Sequence, residues 1–146
     1  MQALYPYAQI IHLFCAIIFL GFVFFDVVIF ARAKGDLGER FEAVKQAIVK
    51  RAIKIMPVCL LLLLLSGGIM MSTWVNRNIG YFDTPLQKIF MIKVALALII
   101  FAGVALSLSC RALKKPSPKF MQLHFHKFVL VLGFFIVLFA KLMFLI

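Results

Sequence analysis

The apolar residues of this chain fall into four long runs, with polar residues gathered in the three connections between them. The runs occupy about residues 10–31, 53–74, 89–108 and 124–146, the last becoming uninterrupted at Phe128. A helix needs about 20 predominantly apolar residues to cross a bilayer, so each run predicts one transmembrane helix. The expected fold is an all-α membrane protein: a single domain over residues 1–146 built as a four-transmembrane-helix bundle. The first run is long, and "MQALYPYAQ" before it carries no Lys or Arg, so it is expected to be a retained helix rather than a cleaved signal.

The connections refine the elements. Between the first two runs, Phe41, Val44, Ile48, Ala52 and Ile55 recur at helical spacing, so the second helix is expected to begin outside the membrane, from about residue 39. Gly35 and Gly38 should break the chain before it, and Pro57 should kink it near the point where it meets the membrane. "KKPSPK" cannot remain helical and predicts a tight turn between the third and fourth helices.

Composition agrees. The chain is 65 % hydrophobic, against roughly 45–50 % in soluble domains. Its mean hydropathy is +1.10, and a soluble interior of this size could not absorb so many Leu, Ile and Phe. Lys and Arg number 16 against 5 Asp and Glu. These cations flank apolar runs, so they point to topology and lipid contact, not to nucleic acid. The first connection holds Arg32, Lys34, Arg40, Lys45, Lys50, Arg51 and Lys54, and the third holds Arg111, Lys114, Lys115 and Lys119; the second holds only Arg77 and Lys88. By the positive-inside rule both rich loops face the cytoplasm, and both termini lie on the outer, periplasmic side of a cell inner (plasma) membrane. Trp74, Tyr81, Tyr5 and Tyr7 then fall at the outer interface.

This topology gives each polar residue a depth. His12 and Lys93 lie at the outer level with Met70, Met71, Lys141 and Met143, while Asp26, Lys54, Ser107, Arg111, His124 and His126 lie at the inner level. At about 100° per residue, His12 aligns with Phe19, Val23 and Asp26; Lys93 aligns with Ser107 and Arg111; and His126 aligns with Gly133 and Val137. The polar residues are therefore expected to face one interior. Asp26 requires a partner in lipid, either in a structural salt bridge to Arg111, Lys54 or His126, or in a polar relay through Asp26, Arg111 and His126. Lys141 sits where its ammonium can snorkel to the interface. Lys93 can do the same, or it can be a counter-charge to an anionic cofactor or substrate. The "HFH" at residues 124–126 lies at the interface, where histidines are commonly solvated.

His12 carries the sharpest chemistry. A lone membrane histidine can simply bond a neighbouring carbonyl. It can also be an axial ligand of haem b, with Met70 or Met71 at its level on the second helix as further ligands. "SGG" (residues 66–68) beside them removes bulk where a flat macrocycle could pack. A second metal chemistry is open: His12, Cys15, Met70, Met71, Met91 and Met143 are soft donors at one level, and such donors select Cu(I). His12 and Cys15, three residues apart, share a helix face. Cys15, Cys59 and Cys110 fall at three depths, which disfavours a disulfide.

"IIHLFCAIIFLGFVFFDVVIFARA", "KIMPVCLLLLLLSGGIMM" and "MIKVALALIIFAGVALS" resemble the first three helices of the HemJ-type protoporphyrinogen oxidase and CopD-like group of small four-helix membrane proteins. His12, Met56–Pro57 with Ser66–Gly67, and Lys93 fall at the matching places, and the resemblance extends over nearly the whole chain. It implies b-type haem bound through His12 and redox chemistry on a porphyrinogen, with a porphyrinogen or a quinone as the candidate substrate. The CopD-like side implies copper transport or tolerance. Three features depart from the pattern. Phe19 stands where a tryptophan is usual, and Asp26 and Val28 stand near the usual place of an arginine. "MQLHFHKFV" replaces an Arg…Asn-Glu-x-Pro opening of the fourth helix. A subunit of a larger membrane complex, with no site of its own, and a homo-oligomer are also compatible with the pattern. The chain holds no Gly-rich phosphate loop, HExxH or CxxC.

Overall fold

The structure, a computed structural model, describes residues 2–145. Helix makes up 86 % of the described residues, and no β-strand occurs among them. Helices satisfy their own backbone donors and acceptors, as hydrocarbon surroundings demand. Three helical stretches, Tyr5–Trp74, Pro85–Ala112 and Phe125–Leu142, are long and apolar enough to cross a membrane. The chain divides after Thr73 into two compact units.

The first unit contains α1 (Tyr5–Phe24), α2 (Lys34–Leu37) and α3 (Phe41–Trp74). Were this run one straight helix, residues 12 and 66 would stand about 80 Å apart at about 1.5 Å per residue. Instead the His12 and Ser66 side chains hydrogen-bond at 3.0 Å, so the run doubles back on itself. The reversal is made in steps. After α1 the helix widens into a π-helical turn, Phe25–Ile29, then tightens into a 3-10 turn, Phe30–Ala33. Beyond α2, Gly38 takes φ +52°, where a Cβ would be strained. Across the reversal the buried rings of Phe30 and Phe41 stack with centroids 4.8 Å apart. Of the two glycines expected to break the chain, Gly38 does so, whereas Gly35 lies inside α2.

The boundaries of α1 differ from the sequence reading. It starts at Tyr5, five residues before the apolar run, because Pro6 is tolerated in a first turn whose amides have no intrahelical acceptor. α3 begins well ahead of its apolar run, as the helical spacing of Phe41, Val44 and Ile48 predicts. Pro57 lies inside α3 without ending it.

The second unit contains α4 (Pro85–Ala112), α5 (Lys119–Leu123) and α6 (Phe125–Leu142). α4 opens with a capping box: Thr84 Oγ1 accepts from the Gln87 amide at 3.2 Å, and Gln87 Oε1 accepts from the Thr84 amide at 3.2 Å. It closes with Lys114 at φ +53° and the Lys115 amide donating to the Cys110 carbonyl at 2.9 Å, a Schellman-type stop. α4 and α6 pack closely. A Cβ on Gly103 would come 2.5 Å from Phe125 Cε2, so only glycine admits that ring. The expected tight turn between these helices is longer than the sequence suggests: α5 intervenes, and α6 starts at Phe125 after a break at His124.

Candidate functional site

On α1, Ala8, Cys15, Phe19 and Val23 are buried. His12 stands between Ala8 and Cys15 on the same face, half-buried. Ser66, buried on α3, meets it. The Ser66 hydroxyl donates to the Leu62 carbonyl at 2.5 Å, one turn back along its own helix. Because a hydroxyl has a single proton, the 3.0 Å contact to His12 must run the other way: Nδ1–H donates to Ser66 Oγ. The neutral imidazole is thereby held as the Nδ1–H tautomer, with its lone pair on Nε2. Next to Ser66, a Cβ on Gly67 would lie 3.3 Å from His12 Cε1, whereas one on Gly68 would meet nothing within 4 Å. Ser66 and Gly67 thus seat the imidazole ring, while Gly68 lies beside open space.

Cys59 was not among the candidates read from the sequence. It is buried on α3, beside the thiol of buried Cys15 on α1. The reading of three cysteines at three depths is corrected here. The antiparallel return of α3 brings Cys15 and Cys59 together, and both are free thiols. Met70 and Met71 are half-buried in the last two turns of α3, with Met70 one turn beyond Ser66. Among the described residues no three His, Cys, Asp or Glu side chains come together as a metal cage. Asp26 lies in the π-helical turn and is half-buried; such turns recur at functional sites because the extra residue redirects a side chain.

In the second unit, Lys93 is half-buried on α4, with Nζ 4.6 Å from the centroid of the buried Phe90 ring one turn before it. A cation over an aromatic face is stabilised by about 0.5–2 kcal/mol, depending on desolvation. Ser107 is half-buried, while Arg111, His124 and His126 are exposed. The expected inward face of α6 is corrected in part. Gly133 is buried, but Val137 is 54 % exposed, and the buried stripe runs through Val129, Gly133 and Met143. Lys141 is exposed near the end of α6.

Comparison of the chain with protein-family models, with curated proteins and with solved structures gives no match.

Proposed function

We propose that this chain is a four-crossing inner-membrane bundle, with both termini outside, that binds haem b through His12 and serves in redox chemistry. The observation that carries the reading is the 3.0 Å contact of His12 Nδ1 with the Ser66 hydroxyl, which itself donates to the Leu62 carbonyl and so favours Nδ1–H on the imidazole. Metal-ligating histidines characteristically donate the second ring nitrogen to a fixed acceptor, which orients the ring and raises the basicity of the ligating nitrogen. The residues fit this group, since porphyrin supplies four equatorial nitrogens and asks the protein only for axial donors. His12 would hold the iron through Nε2, Gly67 leaves room for the ring, and Met70 or Met71 is the candidate second ligand. Bound there, haem would supply a one-electron couple. The role of Lys93 as counter-charge rests on the sequence pattern alone, as does action on a porphyrinogen.

A copper-handling reading is favoured by one specific observation, the paired thiols of Cys15 and Cys59 one turn from His12. Thiol, thioether and imidazole donors select Cu(I). Absorption spectra of the detergent-purified protein, oxidised and dithionite-reduced, separate the two when metals are measured in the same sample. The haem reading expects a Soret band that His12→Ala abolishes while the protein stays helical, and that His124→Ala and His126→Ala leave intact. A normal haem spectrum in His12→Ala overturns the ligand assignment, and stoichiometric copper without haem replaces haem with copper.

A further inference from the structure

The 34 residues of α3 span about 51 Å at about 1.5 Å each, well beyond the roughly 30 Å of a hydrocarbon core. Its first part must therefore leave the membrane, and the residues show where. At about 100° per residue, Lys50, Arg51 and Lys54 fall in one sector of the helix, and all three are exposed. The same sector continues as Val58, Leu61 and Leu65, which are likewise exposed. Buried Phe41, Cys59 and Ser66 lie on the opposite side. Glu42 is the one acid in α3, and it projects from a different sector. One outward stripe thus changes within a single turn from three cations to an unbroken apolar track.

We propose that this stripe binds an anionic phospholipid, its headgroup phosphate on Lys50, Arg51 and Lys54 and an acyl chain along Val58, Leu61 and Leu65. A topology signal needs only cations somewhere in the loop; it does not need them gathered in one sector directly beneath apolar surface. Arg51 supplies a planar fork for phosphate oxygens, and the two lysines supply point charges around it. The apolar continuation selects a lipid over a soluble phosphate. The site is independent of haem and of His12.

The test uses the full chain in nanodiscs of phosphatidylcholine, with and without phosphatidylglycerol, read by native mass spectrometry for retained lipid and by thermal unfolding. The wild type should retain phosphatidylglycerol and unfold at higher temperature in its presence. Lys50→Gln/Arg51→Gln/Lys54→Gln should lose that preference by tenfold or more. Lys34→Gln/Arg40→Gln/Lys45→Gln, which removes equal charge from the same loop, should keep it. Equal loss in both triple variants, or in neither, overturns the site, and equal stabilisation by inorganic phosphate overturns the lipid. If the first triple variant fails to insert, Arg51→Gln alone decides: it should show a partial loss, and an unchanged preference overturns the site.

Discussion

His12 owes its tautomer to a serine 54 positions away, so the consequences of the site can be tested at Ser66 without touching the candidate ligand. Ser66→Ala leaves the Nδ1–H without its acceptor and releases the ring orientation. Removing such a supporting contact typically costs about 10- to 100-fold in metal affinity or activity. Haem titration of Ser66→Ala should therefore show weaker occupancy, with the Soret band retained at saturating haem; unchanged affinity would mean that the hydroxyl does not orient the ligand. Gly67→Val should act differently, because its side chain meets the imidazole where even a Cβ lies 3.3 Å from Cε1. There the band should shift or vanish. His12 itself was legible in the sequence as the histidine placed inside the first apolar run. Ser66 was visible only as a small residue, and Cys59 only as a cysteine placed at a different depth from Cys15. Which residues of α3 oppose which of α1 depends on the register of the return, and one apolar helix pairs about as readily with another at several registers. Nothing in the composition of either run fixes that choice.

The polar ends of the helices, unlike their apolar middles, carry explicit local signals. "DTPLQK" carries a cap, with threonine, a proline at the first helical position and glutamine three residues after the threonine; hydropathy alone placed the start of this helix at about residue 89, and the cap is why α4 starts at Pro85 instead. Gln87 does more than its place in the box implies. It is buried, and its Nε2 donates to the carbonyls of Ile79 at 2.9 Å, Gly80 at 3.2 Å and Trp74 at 3.4 Å, while Oε1 also accepts from the Asp83 amide at 2.9 Å. One side chain thus organises the connection from Trp74 to Thr84. Replacing it removes this partner from several part-buried backbone groups of the connection at once. Gln87→Leu should lower the midpoint of thermal unfolding in detergent by several degrees, whereas Lys88→Ala, at an exposed neighbour, should leave it unchanged. Equal midpoints for the two variants would mean that the loop does not depend on the amide. The break at His124 had no comparable signal: Phe, Met, Gln, Leu and His all tolerate helix, and only the fold of the 113–124 connection separates α5 from α6.

At the scale of the molecule, the membrane class followed from composition, because burial of this much apolar surface without a bilayer is out of reach for 146 residues. The all-helical architecture follows from the same fact, since a segment in hydrocarbon must satisfy its own backbone. Orientation rests on a separate quantity, the distribution of cations. Eleven Lys and Arg lie in the first and third connections and two in the second. Lysine and arginine near the ends of apolar segments are retained on the cytoplasmic side during insertion, and the bias is strongest in loops as short as these. That argument is tested with single cysteines placed in a background lacking Cys15, Cys59 and Cys110. Asn78→Cys, in an exposed turn of the second connection, should react with a membrane-impermeant maleimide added to intact cells. Ser117→Cys, in the third connection, should react only after the membrane is opened. The reverse pattern would invert the orientation. Labelling of both positions from one side would require an even number of crossings between them, and with it a different count of spanning helices, since α4 alone separates residue 78 from residue 117.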